Sequence, residues 1–169
     1  MDLYIIRHAL AVDEATSEYE LDSERPLTDK GRKKMRQIAK GLCNLGVELD
    51  LILSSPYVRA RETAEILADV FKAKKRIVFS DNLAPSAAPE LLIAEINENH
   101  TANSIALVGH EPHLSNLVGL LIAENAKIDF TLKKGGVCYL LADDLHHRDH
   151  CATLEWLLTP GILVEIADR

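Results

Sequence analysis

Three short stretches of this 169-residue chain hold residue types that act on phosphate: Arg7-His8, Ser54-Ser55-Pro56 with Arg59 behind it, and Gly109-His110. Arginine offers a planar fork that donates two parallel charge-assisted hydrogen bonds to phosphate oxygens and does not lose its proton. A neutral histidine beside it is a nucleophile for phosphorus. The phosphorylated imidazole then yields its phosphoryl group to water more readily than a phosphoserine would, which splits one hard step into two. Two arginines and two histidines gathered in one place would form a small, rigid, cationic pocket, and a tetrahedral dianion is its natural guest. Each stretch alone says little, because Arg-His is only a dipeptide and Ser-Ser-Pro suits any strand-to-helix turn.

Each stretch follows an apolar run that reads as a buried strand: Leu3 to Ile6, Leu49 to Leu53, and Ser104 to Val108. Ile77 to Phe79 is a shorter strand. Between them the period changes to three and four. Met35, Ile38, Ala39, Leu42 and Leu45 form one helical face, opened by Thr28 as N-cap with Asp29 in the first turn and Leu27 as a staple, and closed by Gly46. Ala60, Ala64, Leu67 and Phe71 form a second face, Pro89 to Asn99 reads as a helix, and His113 to Ala123 carries Leu114, Leu117, Val118 and Leu121 on one side. Ala11 to Pro26, crowded with Asp and Glu, reads as a loop with one turn of helix. After a bend at Gly135-Gly136, Val137 to Ala142 and Thr153 to Leu158 read as a hairpin at a sheet edge. The pattern predicts a three-layer α/β/α fold with a mostly parallel sheet and an antiparallel edge, built as one domain over 1–169. In open α/β sheets ligands bind beyond the carboxyl ends of the strands, where all three stretches fall.

The composition, 47% apolar against 27% charged, supports a core and excludes a disordered chain, and three cysteines exclude a disulfide scaffold. No apolar run approaches the roughly 18 residues of a membrane span, and the residues after Met1 lack the basic head of a signal peptide, so a cytoplasmic protein is expected. The net charge of −7 argues against nucleic acid or anionic lipid as partners. An anionic substrate would have to be drawn by a local cationic pocket. His146, His147, His150 and Cys151 are zinc-ligand types, but their spacing fits no familiar site and a polar hairpin loop accounts for them; no metal and no cofactor are expected. Cys43 and Cys138 read as small buried hydrophobes, His113 as a cap or exposed residue, and Trp156 as either core or partner surface. Lys133-Lys134 suits an acidic partner.

Taken together, the pieces resemble the histidine phosphatase, or phosphoglycerate-mutase-like, superfamily. They are Ile6-Arg7-His8-Ala9, Arg25-Pro26-Leu27-Thr28 with Gly31, Ser54 to Ala64 with its Arg59-Ala60-x-x-Thr63-Ala64 core, and Leu107-Val108-Gly109-His110, in family order over the first two-thirds of the chain. The Arg-His-Ala start, the Arg-Pro-Leu-Thr stretch and the small size are similar to the SixA branch of phosphohistidine phosphatases. The resemblance implies that His8 is the nucleophile, that Arg7 and Arg59 clamp the phosphoryl oxygens, and that His110, protonated or donating through one nitrogen, steadies their charge in an in-line transfer. Ser54 either touches the pocket or only turns the chain. Arg25 is either a rim contact for substrate or a partner for the acidic loop.

Two departures bear on substrate. Ala9 stands where most of the superfamily has Gly, a change shared with the SixA branch. The Glu that protonates an alkoxide leaving group in the mutases has no counterpart in Asn82-Leu83-Ala84-Pro85. A phosphoramidate nitrogen needs less help, which favours phosphohistidine over phosphosugars. Asp81, Glu90 or the acidic residues Asp13, Glu14, Asp22 and Glu24 could still supply a proton. The expected activity is a metal-independent phosphatase acting through phosphohistidine at His8 on a histidine-phosphorylated partner protein, such as the histidine-containing domain of a bacterial phosphorelay, releasing inorganic phosphate. No large inserted cap separates the elements, which suits a protein substrate. The alternatives are a phosphatase of small phosphomonoesters, a non-catalytic phosphate-binding module, and a metal-binding module using the histidine-rich loop.

Overall fold

The structure is a computed structural model describing residues 1–16, 18–72, 76–123, 128–142, 145 and 151–169. Its strands are β1 (Asp2–Arg7), β2 (Leu51–Ser54), β3 (Ile77–Phe79), β4 (Ser104–Gly109), β5 (Val137–Ala142) and β6 (Ala152–Leu158). Its α-helices are α1 (Asp29–Asn44), α2 (Val58–Val70), α3 (Pro89–Asn99), α4 (His113–Ala123) and α5 (Pro160–Ala167). The sheet order is β3-β2-β4-β1-β5-β6, with parallel pairing from β3 through β1 and antiparallel pairing of β5 with β1 and of β6 with β5. The predicted three-layer architecture, antiparallel edge included, is the one observed.

The central strands are continuously apolar because both of their faces are covered. Tyr4, Ile6, Ala106 and Val108 join Met35, Ile38, Ala60 and Leu67 in one core cluster, under α1, α2 and α5. Leu3, Ile5, Ile105 and Leu107 join Leu92, Leu114, Leu117 and Leu121 in the other, under α3 and α4. Successive residues of one strand thus feed opposite layers, as a period of two requires. The chain lays α1 and α2 on one face, then returns after β3 to lay α3 and α4 on the other. The carboxyl ends of β1, β4 and β2 lie side by side as a result, and the crevice beyond them is where the three stretches meet.

Several local expectations are corrected. The stretch 11–26 holds two 3-10 turns, Glu14–Thr16 and Asp22–Glu24, rather than one turn of helix. β2 begins two residues later than predicted, because the Asp50 carboxylate accepts from the Asn103 and Ser104 amides just before the ladder starts. Cys43 is exposed and so is Leu45, since α1 has turned them past its buried stripe, whereas Cys138 is buried as expected. Gly46 ends α1 with φ +78°. The sequence reading did not foresee α5, although Pro160 at its first turn is a helix-start signal. Trp156 packs on the core side with Tyr4 and Tyr139, at ring-centroid distances of 6.0 and 5.3 Å. A register shift between Tyr139 and Leu140 breaks the alternation of β6 and leaves Leu154 exposed.

Candidate active site

Backbone hydrogen bonds draw the three strand ends together. The His8 amide donates to the Gly109 carbonyl at 3.0 Å, and the Ser55 amide donates to the Val108 carbonyl at 2.9 Å. The Gly135 amide donates to both the Arg7 and the His8 carbonyls, at 3.0 and 3.1 Å. That residue must be glycine: its φ is +78°, and a Cβ there would lie 2.9 Å from Ile38 Cδ1. The start of α2 supplies the fourth element. Ala60 and Ala64 are small and fully buried, which lets the helix lie close on the sheet. Thr63 shares a helix face with Arg59 at a spacing of four; its hydroxyl donates to the Arg59 carbonyl at 2.7 Å and accepts from the Ala9 amide at 3.1 Å. One threonine thereby ties the segment after His8 to the helix that carries Arg59.

His8 is 6% exposed. Its Nδ1 lies 2.8 Å from the Ala9 carbonyl, which can only accept, so Nδ1 carries the proton and Nε2 keeps its lone pair. That lone pair faces Arg59, whose Nε donates to it at 3.3 Å. Burial, reinforced by the charges of Arg59, Arg7 and Lys134 and opposed by the Ala9 carbonyl, pushes the His8 pKa down to about 3. The ring is therefore neutral at physiological pH, as a nucleophile must be. His110 lies beside it with ring centroids 5.1 Å apart, and its pKa is lowered by burial and then by His8 and Arg59. Its Nε2 is 2.9 Å from Ser55 Oγ, while its Nδ1 is buried with no partner among the described residues. The edge of Tyr57 packs against the His110 ring at 5.1 Å, and the Arg59 guanidinium lies 5.2 Å from the Tyr57 centroid. Arg7 donates through one outer nitrogen to the Leu132 carbonyl at 2.9 Å, and its buried Nε has no partner among the described residues. Arg59 and His110, remote from His8 in sequence, thus lie against its ring, and the charge of the neighbouring Arg7 reaches it as well.

The lesser candidates separate. Ser54 is buried and its hydroxyl donates to the Ser55 carbonyl at 3.0 Å, so of its two readings the structure supports the chain turn. Ser55, which the sequence reading passed over, is the serine that touches the site. Arg25 binds the acidic loop, donating to Asp22 and, at 2.8 Å, to the Val12 carbonyl. Asp22 also takes the outer nitrogens of Arg59, at its carbonyl (2.6 Å) and its carboxylate (2.8 Å). Burial works against the Asp22 charge, but the hydrogen bonds from Arg59 and Arg25 outweigh it and hold the pKa low, which removes Asp22 from the possible proton donors. His113 is 1% exposed rather than a surface cap, because the 110–113 turn folds it inward; neither ring nitrogen has a partner among the described residues. Tyr57 and Glu111 were also missed. Glu111 has one carboxylate oxygen on the Ser115 hydroxyl and the other buried without a partner among the described residues, and burial raises its pKa although Ser115 and the Arg7 charge oppose it. A carboxyl kept protonated to higher pH is a competent proton donor. Its signal in the sequence was adjacency to His110.

Among the described residues no three His, Cys, Asp or Glu side chains gather where a metal ion could be held. His146, His147 and His150 lie outside the described residues. No helix among the described residues is long and apolar enough to cross a membrane.

Comparison with known proteins agrees with this geometry. Residues 3–84 match the model of the histidine phosphatase superfamily, branch 1. The phosphohistidine phosphatase SixA of Escherichia coli K12 is 32% identical over 126 residues, 73% of each chain. An uncharacterized protein of Picosynechococcus sp. is 34% identical over 161 residues, 94% of this chain and 96% of the relative. A solved structure of the protein histidine phosphatase SixA in complex with tungstate superposes with a TM-score of 0.80 at 28% identity, over 96% of this chain and 99% of that one. On these matches the chain belongs to the histidine phosphatase superfamily, in its SixA-type branch.

Proposed function

We propose that the protein hydrolyses phosphohistidine on a partner protein by way of a phosphohistidine on His8. The observation that carries this reading is the His8 ring itself: neutral, pinned through Nδ1 to the Ala9 carbonyl, with Nε2 turned toward Arg59. In the first step His8 Nε2 forms a bond to phosphorus as the substrate's N–P bond breaks, and the leaving imidazole takes up a proton. In the second, water attacks the His8 phosphoryl group, the His8 N–P bond breaks, and inorganic phosphate leaves. Arg7 and Arg59 carry the charge of the transferring oxygens, so the step asks for neither metal nor cofactor.

The choice of leaving group rests on the stretch after β3. Leu83, fully buried, lies against Gly109, and Asn82 donates to Glu95 at 2.7 Å, so neither Leu83 nor Asn82 brings a carboxyl to the strand ends. A nitrogen leaving group tolerates that. The likeness to proteins named for phosphohistidine supports the same choice. One observation bears on the second reading, hydrolysis of small phosphomonoesters: Glu111, next to His110 in the chain, is a carboxyl whose pKa burial raises and which the Arg7 charge reaches. On the first reading the partner is a histidine-phosphorylated domain of a phosphorelay, and the reaction takes place in the cytoplasm.

Labelled phosphate should be trapped on wild-type protein after acid-free quenching and be absent from His8→Ala. A panel of phosphohistidine peptide, phosphoserine, phosphotyrosine and sugar phosphates should show the highest kcat/KM for the first. Full activity in His8→Ala would overturn the mechanism, and preference for a sugar phosphate would overturn the substrate.

A further inference from the structure

We propose that Ser55 is a positioning residue that fixes the tautomer of His110: its hydroxyl donates to His110 Nε2, so that the neutral ring carries its proton on Nδ1 and offers that N–H to the transferring oxyanion. The inference rests on the phosphatase reading for the identity of the oxyanion, but not for the tautomer.

Ser55 is fully buried and sits at the end of β2, where its own amide bonds to the Val108 carbonyl. Its Oγ has two contacts. The Tyr57 amide donates to it at 3.3 Å, and His110 Nε2 lies 2.9 Å away. The amide can only donate, so it takes one lone pair of Oγ and leaves the hydroxyl proton to be placed. Two neutral arrangements are open. If Nε2 carried the ring proton and donated to Oγ, the hydroxyl proton would have no acceptor among the described residues, and Nδ1 would be left with an unpaired lone pair. If Oγ–H donates to Nε2, the serine is fully paired and the ring proton moves to Nδ1, the buried nitrogen with no partner among the described residues. The first arrangement leaves two buried groups unpaired, the hydroxyl proton and the Nδ1 lone pair, whereas the second leaves one, the Nδ1 proton, which a bound oxyanion would accept.

The imidazolium is disfavoured as well, since His110 is 2% exposed and shares the recess with the Arg59 guanidinium and the His8 ring. Of the two roles open to His110 from sequence, protonated or donating through one nitrogen, the geometry points to donation. The two site histidines then hold opposite tautomers. His8, with Nδ1–H on the Ala9 carbonyl, exposes a lone pair for attack, and His110, with Nε2 on Ser55, exposes a proton for stabilisation.

The test is ring nitrogen NMR on wild type, Ser55→Ala and Ser55→Thr, with backbone spectra confirming that each is folded. Wild-type His110 should show a protonated Nδ1 and a bare Nε2, unchanged between pH 8 and pH 5.5. Ser55→Ala should shift the proton to Nε2 or average the two, and lower kcat roughly 100-fold with KM changed far less, because the lost donor acts on charge that develops during transfer. Ser55→Thr keeps a hydroxyl and should restore the wild-type signature with part of the rate. A protonated Nε2 in wild type, or an Nδ1–H signature that survives intact in folded Ser55→Ala, would overturn the proposal. Failure of wild type to turn over any phosphorylated substrate would instead overturn the phosphatase reading, with the tautomer result standing on its own.

Discussion

At the scale of the residue, the site depends on side chains whose chemistry cannot be exchanged for a near relative. Arg59 is the sharpest case, because it touches both the His8 ring and Asp22 through different nitrogens of one planar group. Lysine keeps the charge but not the fork. Arg59→Lys should therefore leave the unfolding midpoint within a few degrees of wild type and lower kcat/KM roughly 100-fold, measured on phosphohistidine peptide. An unchanged kcat/KM would remove Arg59 from the proposed clamp. Arg7, His8, Arg59 and His110 were legible as candidates because they stand in one joint pattern, Arg-His after β1, Arg59 behind Ser-Ser-Pro and Gly-His at the end of β4. The choice between Ser54 and Ser55 was not. Both fit a strand-to-helix turn, and only the direction of each side chain at the end of β2 separates a hydroxyl that turns back on the chain from one that reaches His110.

At the scale of the element, two glycines of α1 are occupied by close approach rather than by flexibility. A Cβ on Gly31 would lie 2.1 Å from the Leu10 carbonyl, and one on Gly41 would lie 2.1 Å from the Leu163 carbonyl. Neither backbone can yield without moving its own element, so each alanine substitution should cost about 1–3 kcal/mol in a urea titration. Their effects on activity should differ. Leu10 follows His8 by two residues, so Gly31→Ala should lower kcat/KM along with stability. Gly41→Ala disturbs only the seam between α1 and α5 and should leave the turnover of folded enzyme unchanged. Equal losses of activity in both would contradict the assignment of the site to the carboxyl ends of the strands. Most elements were readable because periods of two and of three to four are local. α5 was not, because it is short and only its packing on α1, through Gly41 and the bond from Asn44 to the Ile166 carbonyl at 3.0 Å, makes it a helix worth forming.

At the scale of the whole molecule, two buried neutral histidines couple folding to pH. The His8 pKa falls from 6.5 unfolded to about 3 folded, and that of His110 is also lowered. Below pH 6.5 the unfolded chain therefore binds protons that the folded protein refuses. The stability these residues confer is complete above pH 6.5 and drains away as the pH drops from there toward the folded values, by about 1.4 kcal/mol per pH unit for each histidine. Asp22, with its pKa lowered by Arg59 and Arg25, adds a further loss at lower pH in the same direction. Urea midpoints taken from pH 7 to pH 4.5 should fall steeply, and a His8→Asn, His110→Asn double variant should flatten the slope between pH 6.5 and 5. A wild-type slope as flat as that of the double variant would show that neither ring is held neutral.

By itself the sequence determined the order and type of most elements, the placing of Arg7-His8 and His110 at strand ends and that of Arg59 at the start of the helix after β2, because apolar period and residue chemistry are written over a few consecutive positions. The tertiary structure alone decided which groups are charged, which serine faces the pocket, and that the acidic loop folds back so that Asp22 holds Arg59. Those outcomes depend on burial and on partners tens of residues away along the chain, and an imidazole acquires its protonation state and its tautomer only from what the fold packs around it.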